Sequence, residues 1–144
     1  MKFFCSLILS LIVLSACTVV NVNKTNASKF PIKLICIEEN PAVQIDDVLP
    51  TIDRNIRDRN IRTLIYKNNP PAQCDYTLWY TARRHLSVSP FLSQAEIRVS
   101  YRGEVIASAS YSHGGGLDLS KWEGTETKLR PVLDELFSQF KPSS

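Results

Sequence analysis

Three stretches of the sequence alternate apolar and polar residues with a period of two, and this alternation limits the fold more than any other feature. In residues 74–83 the apolar residues Leu78, Tyr80 and Ala82 stand between polar or amphipathic neighbours. Residues 95–100 and 105–111 show the same alternation. Because successive side chains of a strand point to opposite faces, each stretch is predicted to be a strand with one buried face. The chain therefore builds a sheet with one apolar side.

The last two of these strands are predicted to form a hairpin around Arg102-Gly103. A two-residue turn would set the odd residues of one strand against the even residues of the other and expose one apolar set to water. A three-residue loop with Gly103 in the left-handed conformation instead pairs Val99 with Val105. The apolar residues of both strands then share a face, so we predict the three-residue loop.

Two amphipathic helices flank these strands in the sequence. In the first, apolar residues recur with helical spacing at Ile45, Val48, Leu49, Ile52 and Ile56. Asp47 is the predicted N-cap, which places Pro50 in the first turn, and Asn60 is the predicted stop. The second helix is predicted to start at Thr125, and its apolar stripe comprises Leu129, Val132, Leu133, Leu136, Phe137 and Phe140.

Two further strands, at residues 32–37 and 62–67, complete the predicted order β-α-β-β-β-β-α. Both helices carry an apolar stripe, and both stripes need the apolar side of the same sheet. We therefore predict an α+β domain with a mixed, mostly antiparallel sheet and two helices on one face.

The N-terminus has the form of a secretory signal. Lys2 precedes the apolar run Phe3–Leu14, which is too short to span a bilayer. The tetrad Leu14-Ser15-Ala16-Cys17 closes this run and resembles a bacterial lipobox, which implies cleavage before the cysteine and acylation of its thiol and amine. Buried acyl chains hold a protein on a membrane. The alternative is an ordinary signal peptide cut after Ala16.

The lipobox resemblance also implies a location and a division of the chain. Thr18 stands where inner-membrane lipoproteins carry Asp, so the resemblance implies the periplasmic side of the outer membrane of a Gram-negative bacterium. Residues 18–29 are rich in Asn, Lys, Thr and Ser and sustain no period of 2 or 3.6. We therefore predict a signal peptide at 1–16, a lipidated cysteine and tether at 17–29, and one domain at 30–144.

Two cysteines, Cys36 and Cys74, remain in the predicted domain. In an oxidising compartment such a pair is usually bridged, so we predict a disulfide between them. The alternative is two buried free thiols.

Much of the predicted domain resembles a family of small, uncharacterised proteobacterial lipoproteins. The resemblance lies in the runs Cys74–Ala82, Ala95–Val99 and Gly114–Thr125 through Leu136. More loosely, the order of elements is similar to that of TolB N-terminal domains, which dock onto other envelope proteins. The resemblance implies an α+β fold and an envelope location, and it adds no catalytic residue.

The residues themselves do not indicate catalysis. His113-Gly114-Gly115-Gly116 matches the oxyanion tetrad of some esterases, but the chain lacks their G-x-S-x-G motif, so we interpret it as a connector. The same loop could cradle an anion through its backbone N–H groups. His85 and His113 lack metal-ligand spacing. We predict no enzyme, no metal and no cofactor; the alternative is an envelope hydrolase whose site no motif reveals.

The side of the sheet opposite the helices is the predicted contact surface. Trp79, Arg83, Arg98 and Ile106 are predicted to share it, and an aromatic among arginines is typical of interfaces. The alternative is a solvated face with one incidental tryptophan. The chain has 17 Lys and Arg against 14 Asp and Glu, which does not indicate nucleic acid. We predict an envelope binding or accessory module, anchored by its acyl chains and contacting another envelope protein or peptidoglycan.

Overall fold

The computed structural model describes residues 18–86, 91–114 and 123–143. The predicted signal peptide, Cys17 and Gly115-Gly116 lie outside these residues. One six-stranded sheet has the order β1-β6-β5-β4-β2-β3. The elements are β1 Thr18–Asn23, β2 Leu34–Glu38, α1 Val48–Arg57, β3 Arg62–Tyr66, β4 Tyr76–His85, β5 Phe91–Tyr101, β6 Glu104–His113 and α2 Thr125–Leu136.

The sheet is mixed. The neighbours β1, β6, β5 and β4 pair antiparallel, whereas β4, β2 and β3 pair parallel. The parallel part follows from the chain order, because α1 carries the chain from β2 back to the start of β3. The predicted α+β class with a mixed, mostly antiparallel sheet is confirmed.

Both helices lie on one side of the sheet, as predicted. The α1 residues Ile52 and Ile56 and the α2 residues Leu129 and Leu133 are fully buried in the same core as Leu78 of β4. Each Å² of apolar surface that is removed from water stabilises the fold by about 25 cal/mol. This buried layer is therefore the main stabilising contribution. The two helices therefore cover one face of the sheet.

The helix boundaries largely follow the predictions. Asp47 occupies the N-cap position of α1, although its side chain makes no capping hydrogen bond. Asn60, the predicted stop, has a φ of 60°, and its N–H donates to the carbonyl of Arg57. The second helix begins at Thr125 as predicted.

The predicted tether over residues 18–29 is corrected. Residues Thr18–Asn23 form β1, which pairs with β6 along its whole length, with Thr18 opposite His113 and Asn23 opposite Ser108. Thr25 is fully buried, and its N–H donates to the carbonyl of Leu136 at the end of α2. Backbone pairing and burial therefore bring this segment into the domain, which begins before Phe30.

The predicted three-residue hairpin loop is also wrong. Tyr101 pairs with Glu104, so the turn has two residues, and Arg102 and Gly103 have φ angles of 48° and 85°. Such turns match the twist of the strands. The N–H and the guanidinium of Arg102 both bond to Asp75, which supports the left-handed conformation of a residue that carries a side chain.

A β-bulge in β6 keeps the apolar residues of β5 and β6 on one face of the sheet. The two-residue turn alone would place them on opposite faces. Ser100 lies opposite Val105 but Val99 lies opposite Ala107, so Ile106 is the extra residue in β6. Ala107 and the apolar residues after it therefore face the core, while Val105 is 53% exposed. Ile106 packs partly buried against the core, which corrects its predicted place on the opposite face.

The predicted disulfide joins Cys36 in β2 to Cys74, just before β4, and it is confirmed. The two Cα atoms are 5.7 Å apart, and the residues are 38 positions apart in the sequence. A loop of this length stabilises a fold by about 3 to 4 kcal/mol in the chain-entropy description. The bond fixes the segment that crosses from β3 to β4 over β2.

Arg59, in the turn after α1, joins the ends of the two helices. Its guanidinium donates to the carbonyl oxygens of Phe137 at 3.3 Å and Phe140 at 2.8 Å, and to Asp134 at 2.7 Å. The side chain is only 7% exposed. A cation at a helix C-terminus satisfies carbonyls that have no partner within the helix and is favoured by the helix dipole.

We expect Arg59→Ala to lower the free energy of unfolding by about 2 to 3 kcal/mol, because it leaves buried carbonyls without a charged donor. The control is Arg57→Ala, whose side chain is 62% exposed in its ion pair with Asp53, and about 0.5 kcal/mol is expected there. Urea unfolding followed by circular dichroism measures both. Equal losses for the two variants would contradict this role of Arg59.

Candidate binding surface

The face of the sheet opposite the helices is built by the residues that alternate with the core residues of each strand. Pairing aligns these residues into rungs across four strands, for example Thr81, Glu96, Ser110 and Asn21. We call this surface the open face; it comprises Trp79, Thr81, Arg83, Gln94, Glu96, Arg98, Ser108, Ser110, Ser112 and Asn21.

An aromatic–cation pair occupies one rung of the open face. Trp79 in β4 lies directly opposite Arg98 in β5, and the guanidinium carbon is 4.8 Å from the centre of the indole ring. Glu96 accepts a hydrogen bond from Nε of Arg98 at 2.7 Å, and the same carboxylate oxygen lies 2.6 Å from Nη2 in an ion pair. The carboxylate thus holds the guanidinium over the ring, and the half-buried indole is covered by a charged group.

Beside this pair the open face carries a polar groove. One cavity of about 370 Å³ is lined by Thr81, Arg83, Gln94, Glu96, Ser110 and Ser112, among others. A second, of about 360 Å³, adjoins it and is lined by Asn21, Asn23, Glu96, Ser108 and Ser110, among others. Glu96 and Ser110 line both cavities, so the two form one groove from β4 to β1.

The structure brings together three of the four residues predicted for this surface. Trp79 and Arg98 are in contact, and the exposed Arg83 lines the adjoining groove. The groove also contains hydroxyl and amide groups that sequence reasoning did not single out. Their signal in the sequence is the serine at every second position of β6. The alternation predicts that these serines share a face, but only the register with β5 shows which side chains they lie beside.

The arrangement is suited to binding through hydrogen bonds and a stacked aromatic surface. Its donors and acceptors are hydroxyls, amides and two arginines, and its carboxylate, Glu96, is occupied by Arg98. An aromatic with arginine is enriched at protein interfaces. The chemistry of this face therefore favours recognition of a polar partner.

Tyr66 adds a neutral donor at the far end of the same face of the sheet. It pairs with Glu38, one rung beyond the pair formed by Cys36 and Leu64. Burial and, to a smaller extent, the negative charge of Glu38 raise the pKa of Tyr66. The phenol therefore remains protonated near neutral pH.

Two polar residues, Lys128 and His113, are buried on the helix side of the sheet. Lys128 of α2 donates to the carbonyl of Leu92 at 3.2 Å, and burial lowers its pKa. His113 is 5% exposed, and its Nδ1 lies 2.7 Å from the hydroxyl of Thr18. His113 is thus part of β6 and of the β1 contact, which places its ring away from the open face.

Within residues 18–86, 91–114 and 123–143, no three or more His, Cys, Asp and Glu side chains gather where they could hold a metal ion. Over the same ranges, neither helix has the length and apolarity needed to cross a bilayer.

The fold and the open face define a small α+β domain with a helix layer on one side of the sheet and polar side chains on the other. Its architecture is similar to that of the PelC dodecamer from Paraburkholderia phytofirmans. The TM-score is 0.57 at 13% identity, over 89% of this chain and 100% of that chain. A point variant of that dodecamer gives a TM-score of 0.56 at 14% identity, with the same coverage.

No family model matches the sequence, and no curated protein matches it. At 13% and 14% identity, the likeness to PelC is a likeness of fold.

We expect Trp79→Ala to lower the free energy of unfolding by about 1 kcal/mol, because it removes one cation–π contact and part of a half-buried ring. The neighbouring Leu78 is fully buried on the opposite side of the same strand, and Leu78→Ala should cost about 3 kcal/mol. Thermal and urea unfolding measure both. If the two variants lose the same stability, Trp79 belongs to the core rather than to a surface.

Proposed function

We propose that the protein is a lipoprotein held by acylated Cys17 on the periplasmic side of the outer membrane. There it acts as a non-catalytic accessory module that assembles with copies of itself and binds another envelope component through the open face. The observation that carries the proposal is the Leu14-Ser15-Ala16-Cys17 tetrad immediately before a strand of the sheet. The likeness of the fold to a PelC dodecamer supports the assembly.

The start of β1 supports a close connection between anchor and domain. Thr18, the residue after Cys17, is already paired with His113, and its hydroxyl bonds to the His113 ring. Acyl chains on Cys17 would therefore be joined to the sheet without a tether. Such a connection holds the domain near the membrane, where burial of acyl chains contributes about 0.8 kcal/mol per CH₂.

The open face supports the binding role. Its groove offers hydroxyl, amide and guanidinium groups beside a stacked Trp79–Arg98 pair, on a side of the sheet that the helices do not cover. Another envelope protein or peptidoglycan would present polar groups to such a surface.

We expect Cys17→Ala to remove the protein from the outer-membrane fraction or to leave the signal peptide uncleaved, because the acceptor thiol is lost. The matched control is Ser15→Ala, which keeps a small residue in the tetrad and should remain anchored. Membrane fractionation and mass spectrometry of the N-terminal peptide give the result. A Cys17→Ala protein that still partitions wholly with the outer membrane would contradict the anchor.

We expect Trp79→Ala and Arg98→Glu to abolish the chemical crosslinks that the wild type forms in intact envelopes while leaving the domain folded. Arg130→Glu is the control, because Arg130 is 61% exposed on α2, on the other side of the domain. Its crosslinks should match the wild type. Both open-face variants keeping the wild-type crosslinks would exclude the open face as the contact.

A further inference from the structure

The two outermost strands of the sheet are β1 and β3, and the outer side of each pairs with no other strand among residues 18–86, 91–114 and 123–143. Across the described ranges, no hydrogen bond reaches the outer backbone of either strand. Soluble proteins usually protect such edges with charges, proline, bulges or covering loops. The β1 sequence Thr-Val-Val-Asn-Val-Asn contains no charge and no proline, and its pairing with β6 has no bulge.

Both edges also expose large apolar side chains. Val19 and Val20 of β1 are 48% and 42% exposed, and Ile65 of β3 is 44% exposed. A concavity of about 780 Å³ lies at the start of β2 and β3, and Leu34, Arg62 and Leu64 are among the residues that line it. Each edge therefore has backbone groups to pair and apolar surface to bury.

The faces of the two edges match. Val20 lies opposite Tyr111 on the helix side of the sheet, and Ile65 lies opposite Ile37 on that same side. The strand directions match as well, because the pairings make β1 run antiparallel to β3 across the sheet. Two sheets placed side by side in the same orientation would thus meet as an antiparallel pair.

We propose that β1 of one copy pairs antiparallel with β3 of the next copy, with Val20 opposite Ile65. This interface rests on the self-assembly proposed above and specifies its geometry. Val19 then lies opposite Tyr66 and Asn21 opposite Leu64, so apolar contacts form on both faces of the junction. Because β1 carries no charge, Arg62 of β3 meets no like charge.

The contact joins two different surfaces, so every added copy leaves the same two edges open. Such a head-to-tail contact closes into a ring when the rotation between copies allows it and otherwise forms a filament. The dodecameric neighbour of similar fold favours closure. The partner is therefore a second copy of this chain rather than a strand of another protein.

Disulfide trapping tests the pairing. The full chain, purified with its anchor in detergent, carries Val20→Cys together with Ile65→Cys and is oxidised. The two edges of one sheet are about 24 Å apart, from five strand spacings of about 4.8 Å, so only different copies can be joined. We expect a ladder of crosslinked dimers, trimers and larger species on a non-reducing gel.

The control pairs Val20→Cys with Val105→Cys, an exposed residue near the β5–β6 turn, and its ladder should be at least tenfold weaker. A second variant, Ile65→Lys, should shift the mass in detergent from oligomer to monomer while circular dichroism remains native. Val105→Lys should keep the oligomer.

The outcomes separate the two proposals. A wild type that is oligomeric but gives no ladder, or an Ile65→Lys oligomer of unchanged mass, overturns the edge pairing and leaves self-assembly in place. A wild type that is monomeric by mass overturns both. A crosslink to a different protein at Val20→Cys in envelopes, without self-crosslinks, assigns the edge to that partner and overturns pairing between copies.

Discussion

The buried guanidinium of Arg59 is the polar contact that joins the ends of the two helices above the sheet. It donates to the carbonyls of Phe137 and Phe140, which follow α2, and to Asp134, while the turn that carries it follows α1. Asn55 of α1 donates to the same carboxylate. The two helices are therefore fixed to each other at one end, which holds both apolar stripes over a single side of the sheet. Because the apolar residues of the strands are buried against the helices, the residues that alternate with them can remain polar.

The elements that bury a full apolar face were predictable from the sequence, because burial is what imposes a period on it. Strands β4 and β5 and both helix stripes belong to this group. The hairpin between β5 and β6 was not predictable. Either a three-residue loop or a two-residue turn followed by a bulge places the apolar residues of both strands on one face. Asp75 decides between them by bonding to Arg102, and it lies far away in sequence. The same bulge moves Ile106 toward the core.

Strand β1 was missed because an edge strand buries too little to leave a clear pattern. Val22 is half-buried and Val20 is 42% exposed, so apolar and polar positions differ little in environment. Backbone pairing with β6 fixes the position of β1, and the side chains of the sequence do not indicate such pairing. The candidate surface was only partly predictable. The alternation placed Trp79 and Arg98 on one side of the sheet, but only the strand register set them in contact. The groove that reaches Asn21 required β1 itself.

Strand β1 connects the proposed anchor, the outer edge of the sheet and the open face. It follows Cys17 in the sequence, its outer side is an unpaired edge, and Asn21 and Asn23 line the groove of the open face. In the proposed pairing, Asn21 would lie beside Leu64 of the next copy, and Val19 beside its Tyr66. The open face of one copy would then continue onto the β2–β3 side of the next. A partner too long for one groove could contact successive copies, and each additional copy would raise its effective concentration at the next groove. In the proposed membrane-bound assembly, weak hydrogen-bonding sites on single domains would then suffice for firm binding.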